Sequence, residues 1–298
     1  MSALAKSTNF PATLATEMFN KVVGHSALAK LSGQKPIPFN GEDVFVFDFA
    51  SDVSIVGENG AKPAGDATIT PVQIRPIKVV YQSRVSDEFM YASEEARLQY
   101  LKDFADGFTK RLAAGLDIMA FHGLNPATGS ASDLLTGKSF DAVITSTNTI
   151  SYLANSSTAD ANLEAAIAKV EDAEMPVNGI AMSPIMRSAI AGQKVSNGRE
   201  YPDFAFGGAP SNLGGATLDV NATVSAKSSS ARAYVGDFQN AFKWGYAKNI
   251  PLEVIEYGNP DGGSYDLKQA NQVLLRSEAY IGFGILNAGS FAKVSVAG

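Results

Sequence analysis

The chain contains no cysteine and only two histidines, His25 and His122. The first absence excludes disulfide frameworks, thiolate nucleophiles, iron–sulfur clusters and every cysteine-based zinc site. No stretch reaches the roughly 18 consecutive apolar residues of a membrane helix, and the residues after Met1–Lys6 do not form an apolar signal core. The molecule is therefore expected to be intracellular at synthesis. Charge is also sparse: charged residues make up 18% of the 298, and 24 Lys+Arg against 30 Asp+Glu leave a net charge of −6. That balance argues against a basic nucleic-acid groove as the main business. Hydrophobic residues, at 45%, are plentiful. A chain of this length buries roughly 75% of its unfolded surface, so a core forms without covalent staples, and dominant disorder is excluded.

Enzyme-like motifs fail one by one. Thr136-Gly137-Lys138-Ser139 has the tail of a phosphate-binding loop, but Ser132 stands where the pattern needs a glycine, so a surface loop is expected. Neither histidine has a second ligand at metal spacing, and each reads as a capping or partly buried structural imidazole. No Gly-x-Ser-x-Gly or His-Glu-x-x-His string occurs. The paired glycines at 207–208, 214–215 and 262–263 read as turns, because none opens a helix after a strand. No cofactor and no metal is expected.

The patterning describes elements that seek burial elsewhere. Leu14, Met18, Phe19, Val22 and Val23 recur at helical spacing between Pro11 and Leu31, which predicts an amphipathic arm containing His25. Pro36 and Pro38 then impose an extended link. Over Glu42–Phe49, Phe45, Phe47 and Phe49 alternate with Val44, Val46 and Asp48, as in a strand. A polar, glycine-rich tip at residues 57–66 leads to a second strand-like stretch over 68–85, whose apolar parity changes at Pro76, predicting a bend in a strand that is not central. So long a hairpin, with little apolar surface near its tip, cannot stabilise itself in water. It must lie on something else.

Ser93 caps a predicted helix that runs uninterrupted to Gly123, with Leu101, Phe104, Phe108, Leu112, Leu116 and Met119 on one face. At 1.5 Å per residue its thirty or so residues span roughly 45 Å. A Gly/Ser/Thr/Asn-rich passage over 124–148 marks entry into another domain. Helices are expected over Asn162–Glu174 and Pro184–Ala191, and strands over Gly179–Met182, Ala233–Val235, Pro251–Tyr257, Gln272–Phe283 and Ser290–Val296, with a hairpin tip at 258–263. Residues 197–215 read as loop.

This order of arm, long hairpin, spine-like helix, glycine-rich passage and late strands resembles the major capsid protein of tailed bacteriophages, the Hong Kong 97-type fold. The local strings agree with it. Gly60-Ala61-Lys62-Pro63 with Asp66-Ala67-Thr68-Ile69 looks like the family's extended-loop tip, and Val85-Ser86-Asp87-Glu88-Phe89 like the entry to its spine. Asp117 to Gly123, followed by Gly129, is similar to the end of that helix. Asn178 to Pro184 and Val235-Gly236-Asp237-Phe238 resemble the axial-domain signatures, and Ala279 to Val294 the closing strands.

The resemblance implies an α+β capsid subunit with an N-terminal arm (1–41), an extended loop hairpin (42–85), a peripheral domain with spine helix (86–148 and 251–298) and an axial domain (149–250). It implies no catalytic turnover but self-assembly into pentamers and hexamers of an icosahedral shell around double-stranded DNA, without sequence-specific binding. The expected location is the virion, after assembly in the host cytoplasm, with a separate scaffolding protein and a portal as further partners. An encapsulin-like nanocompartment shell is the alternative within the same architecture. Expected interface residues are Phe19, Phe45, Phe47, Lys62 and Pro63. Some family members weld subunits by an isopeptide bond, and the resemblance places its lysine at Lys62, its asparagine at Asn271 and the assisting glutamate at Glu278. There a desolvated carboxylate would remove a proton from the amine, which attacks the carboxamide. The residues themselves allow plainer roles: Asn271 in a turn, Glu278 paired with Arg276 of a neighbour.

Overall fold

The computed structural model describes residues 25–49, 52–65, 67–152, 158–196 and 198–296. Phe19 and most of the expected arm helix lie outside these residues. What is described of that helix is α1 (Ala27–Leu31), capped by Ser26, whose Oγ accepts from the Ala29 N–H. His25, expected inside the helix, stands before the cap and is exposed, because Ser26 takes the capping position.

Strands β1 (Glu42–Phe49) and β2 (Ala67–Ile74) form an antiparallel ribbon from Glu42↔Ile74 to Phe49↔Ala67. Past Pro76 the chain enters β3 (Ile77–Ser86), which leaves the ribbon and pairs with a late strand. The expected bend thus separates two sheets. The spine follows as α2 (Glu94–His122, 29 residues), capped by Ser93 and stopped by Gly123 at φ 68. A side chain there would meet strain, so glycine ends the helix. Phe108, Leu112, Leu116 and Met119 are buried, while Leu98 and Tyr100 in the first turns are exposed. The amphipathic stripe is therefore used mainly along the C-terminal half.

The glycine-rich passage holds a short helix α3 (Phe140–Val143) before β4 (Thr149–Tyr152). Then come α4 (Ala159–Glu171), β5 (Gly179–Met182), α5 (Pro184–Gly192), the small hairpin β6 (Lys194–Val195) and β7 (Gly198–Arg199), β8 (Asn212–Leu213), β9 (Ala216–Val220) and β10 (Ala231–Gly236). Long strands β11 (Phe242–Ile255) and β12 (Gln272–Ile285) and the closing β13 (Phe291–Val296) complete the chain. The order β11-β12-β3 makes a three-stranded sheet beside the spine, and β4-β13-β10-β5-β9-β8 makes a six-stranded mixed sheet with α4 and α5 packed on it.

The sequence pattern located only the second half of β11. Its first half carries Lys243, Gly245 and Lys248 among its apolar residues, and register shifts between Tyr246 and Lys248 and between Ile250 and Glu253 further blur the alternation. An aromatic cluster ties the layers together: Phe121 of α2 stacks on Tyr234 of β10 at 4.5 Å, and Phe140 meets Phe291 edge-on at 4.9 Å. Such contacts add about 0.5–1.5 kcal/mol each beyond burial.

Candidate subunit interface

Glycines in the long strands receive the root of the ribbon. A Cβ on Gly284 would stand 2.7 Å from Ile74 Cγ1, and one on Gly282 would stand 3.1 Å from Ile37 Cδ1. On neighbouring β11, a side chain at Gly245 would collide with the Lys35 carbonyl. The extended link expected from Pro36 and Pro38 thus lies across the sheet. It is fixed there by the Lys35 N–H donating to the Trp244 carbonyl at 2.9 Å, while the Trp244 indole donates to the Ser32 carbonyl at 2.8 Å. Ile74 is fully buried in this cradle. A Lys243–Glu42 ion pair at 2.5 Å flanks it.

Beyond this root the ribbon is bare. Phe45, Phe47 and Ile69 are 61%, 59% and 53% exposed, and register pairs Phe47 with Ile69 on one side of the ribbon. Every residue from Asp52 to Gly65 is exposed, Lys62 and Pro63 included. Two strands with an uncovered apolar face are marginal in water. Contiguous exposed apolar surface of this kind marks an association site.

The expected crosslink residues are dispersed. Lys62 is at the exposed tip. Asn271 holds φ 52 in the turn before β12, and its carbonyl accepts from the Asp87 N–H at 3.0 Å. Glu278 pairs with Lys78 of its own chain at 2.8 Å, and Arg276 donates to Gln82 Oε1 of its own chain at 3.0 Å. Seven residues of extended strand put Glu278 about 23 Å from Asn271. Within one chain these groups cannot meet, so amide exchange would require neighbouring copies to supply the partners.

The remaining motifs are structural. Ser139 caps α3, and Lys138 Nζ donates to the Leu134 carbonyl four residues back at 3.1 Å, a local bond within an exposed turn. His122, with a side chain only 2% exposed, bridges Asp141 Oδ2 at 2.8 Å and the Thr223 carbonyl at 3.0 Å. Its carboxylate partner comes from a different helix, which spacing did not show. Among the described residues no group of side chains could hold a metal ion, and no helix is long and apolar enough to cross a membrane.

Sequence reasoning missed the group at the root of the arm. Asp117 is fully buried on α2 and accepts four bonds: from Ser26 Oγ at 2.5 Å, Thr223 Oγ1 at 2.5 Å, Ala27 N–H at 2.9 Å and Leu28 N–H at 3.2 Å. Burial pushes its carboxyl up to about 6 against the opposing pull of those donors. Its signal in the sequence is an acid set between Leu116 and Ile118 in the most apolar part of the spine. Burial also raises Asp141, but the His122 hydrogen bond, the Lys293 charge and the Tyr234 hydroxyl together outweigh it and hold the carboxyl below its ordinary value. Through Thr223 and His122 the two acids connect the arm root, the spine and the six-stranded sheet.

The phage capsid family matches residues 9–296. No curated protein matches. Among solved structures, one from Mycobacterium phage Ogopogo is 32% identical, with 92% of each chain covered and a TM-score of 0.77. One from Gordonia phage Cozz is 24% identical over 92% of this chain and 87% of that one, with a TM-score of 0.75. The capsid of an empty GTA particle is 14% identical over 92% of this chain and 97% of that one, with a TM-score of 0.64. With its ribbon, spine and paired sheets in the Hong Kong 97-type arrangement, this chain belongs to the phage capsid family.

Proposed function

We propose that this chain is the major head subunit of a tailed bacteriophage, which assembles as pentamers and hexamers into the icosahedral shell that encloses double-stranded DNA in the virion. The observation that carries the reading is the ribbon, rooted in glycine-lined strands and bare along Phe45, Phe47 and Ile69. A surface of that kind is stabilised by siblings, and a closed lattice sums many weak contacts. The net charge of −6 suits a container, since a strongly basic wall would hold DNA by counterion release. Arm, ribbon, peripheral and axial divisions, a separate scaffolding protein, a portal and assembly in the host cytoplasm belong to the same reading.

The Phe45→Ser/Phe47→Ser variant tests it. Covering the two rings is worth about 2–4 kcal/mol per contact, since a buried aromatic side chain contributes about 1.5–3 kcal/mol and each is already partly covered. Electron microscopy and sedimentation are expected to show particles for the native chain and their loss in the variant, with the helical circular dichroism signal retained. A native chain that stays a compact monomer at high concentration refutes the reading. Native particles that protect no DNA from nuclease refute its genome-container part.

A further inference from the structure

Asparagine followed by glycine loses ammonia readily. Glycine has no side chain to hinder attack by its own backbone nitrogen on the preceding carboxamide, and asparagine is among the thermolabile residues. The chain holds four such pairs: Asn40-Gly41, Asn59-Gly60, Asn178-Gly179 and Asn197-Gly198. As dipeptides they are equivalent, and folding makes them unequal. Asn197 lies outside the described residues, so the structure compares the first three.

Asn178 is held on every side. Its Nδ2 donates to Asp237 Oδ1, its Oδ1 accepts from the Phe238 N–H at 3.0 Å, its own N–H donates to the Gly236 carbonyl at 3.2 Å, and its carbonyl accepts from the Thr217 N–H at 2.9 Å. Gly179 is buried at the head of β5, where a Cβ would stand 2.7 Å from Phe238 Cδ2. Asn40 is exposed, but its carbonyl accepts from Arg75 Nη1 at 2.8 Å, and the Ile74 carbonyl and the Arg75 side chain close over Gly41, where a Cβ would meet them at 2.6 and 2.8 Å. Asn59 has no such support. It stands at the ribbon tip, exposed like all its neighbours from Asp52 to Gly65, and its carboxamide has no partner among the described residues. The Gly60 N–H donates to the Gly57 carbonyl at 2.9 Å, a bond inside the exposed turn that attack must open. That turn also requires its glycine, since a Cβ at residue 60 would stand 2.8 Å from Val56 Cγ1 and 3.3 Å from the Gly57 backbone. The residue that shapes the tip is thus the one that leaves Asn59 open to attack.

We propose that Asn59-Gly60 is a self-modification site, at which the chain deamidates its own ribbon tip for as long as it stays unassembled. The Gly60 backbone nitrogen attacks Cγ of Asn59. The N–Cγ bond forms, the bond from Cγ to the amide nitrogen breaks, and ammonia leaves with the proton that Gly60 gives up. Solvent water then opens the five-membered imide at either carbonyl, leaving aspartate or isoaspartate. The product sets a second carboxylate beside Glu58, takes the net charge one unit below −6, and in the isoaspartate form adds a methylene to the backbone three residues before Lys62. A tip altered in charge and length fits a neighbour less well, so aged chains assemble poorly, while a neighbour already seated on the tip holds the turn shut. These two consequences rest on the assembly reading above; the ranking of the pairs does not.

The dissociated chain is aged in mildly alkaline buffer and digested, and the peptides carrying Asn40, Asn59 and Asn178 are weighed by mass spectrometry. The Asn59 peptide is expected to gain the mass of an NH2-to-OH exchange first, the Asn40 peptide more slowly, and the Asn178 peptide not at all while the chain is folded. In denaturant the three are expected to react at similar rates, because only folding separates them. An Asn59 peptide that stays unmodified, or that is overtaken by either of the others in the folded chain, overturns the site. A ranking that survives denaturant makes flanking sequence its cause and overturns the structural argument. In assembled particles the Asn59 peptide is expected to age more slowly than in the dissociated chain; equal rates refute protection by neighbours and leave the site standing. Particle yield, with each chain compared with its own fresh preparation, is expected to fall on ageing for the native chain and to hold for Asn59→Gln, whose longer side chain would need a six-membered ring. Equal losses refute Asn59 as the cause. A native chain that never forms particles overturns the assembly reading instead, and the ranking in the dissociated chain then tests the site alone.

Discussion

Asp117→Asn perturbs the spine at the point where it grips the arm root, and its cost can be worked from the four donors. Ser26 Oγ and the Leu28 N–H share Oδ1, while Thr223 Oγ1 and the Ala27 N–H share Oδ2. An asparagine NH2 on either side faces one hydroxyl and one backbone N–H. The hydroxyl can turn and accept; the N–H cannot. One buried amide is therefore orphaned, at a cost of about 1–3 kcal/mol near pH 7.5.

The dependence on pH has a definite sign. The folded carboxyl is raised from 3.8 to about 6, so its contribution to stability is fully present below 3.8 and is lost as pH rises through about 6. Wild type regains it on acidification and the asparagine variant does not. The penalty of Asp117→Asn is thus expected to grow by about 2 kcal/mol between about pH 7.5 and about pH 4.5, at about 1.4 kcal/mol per unit. Paired denaturant titrations of the dissociated chain at both values measure this difference and cancel the other carboxyls. Hydrogen exchange at the Ala27 and Leu28 amides reports the local opening. A penalty that is constant with pH, or smaller in acid, refutes the assignment of Asp117 as a buried, burial-raised acid.

Further outcomes follow from the same contacts. Gly284→Ala forces a methyl to within 2.7 Å of Ile74, and the overpacking is expected to cost about 1–3 kcal/mol by denaturant titration; an unchanged midpoint argues against the glycine cradle. Arg84 holds the loop between β11 and β12 through Asp261, Asn259 Oδ1 at 2.7 Å and the Tyr265 carbonyl at 2.9 Å, so Arg84→Ala is expected to open residues 256–271 to limited proteolysis. The Arg84 hydrogen bond also lowers the Asp261 carboxyl, so this staple is present above the ordinary carboxylate value and is lost only as pH falls through the lowered one; loop cleavage rates that rise already near neutral pH contradict that. Denaturing gels of assembled shells are expected to show one band near 31.3 kDa, because Glu278 is held by Lys78; a covalent ladder would mean that neighbouring copies bring Lys62, Asn271 and Glu278 together.

Local pattern determined much of this protein. Alternation fixed β1, a serine cap and a glycine stop bounded the spine to the residue, and the parity change at Pro76 marked a bend, although that β3 leaves the hairpin for another sheet was not legible. These features depend on neighbours within a turn or a pleat, so they are visible along the chain. The ribbon's need for outside support was legible too, since so long a hairpin with little apolar surface near its tip cannot stabilise itself.

Tertiary structure decided the rest. The first half of β11 hides in the sequence because Gly245 answers to the Lys35 carbonyl, a contact between distant segments, and not to strand propensity. His122 lacked a carboxylate at any local spacing until folding set Asp141 beside it. Asp117 became the anchor of the arm only when Ser26 and Thr223 converged on it from opposite ends of the chain. Periodicity records which way a side chain points; which partner it meets is set by long-range packing, and that is why the chemistry of the buried acids and the partner of Glu278 emerged only from the fold.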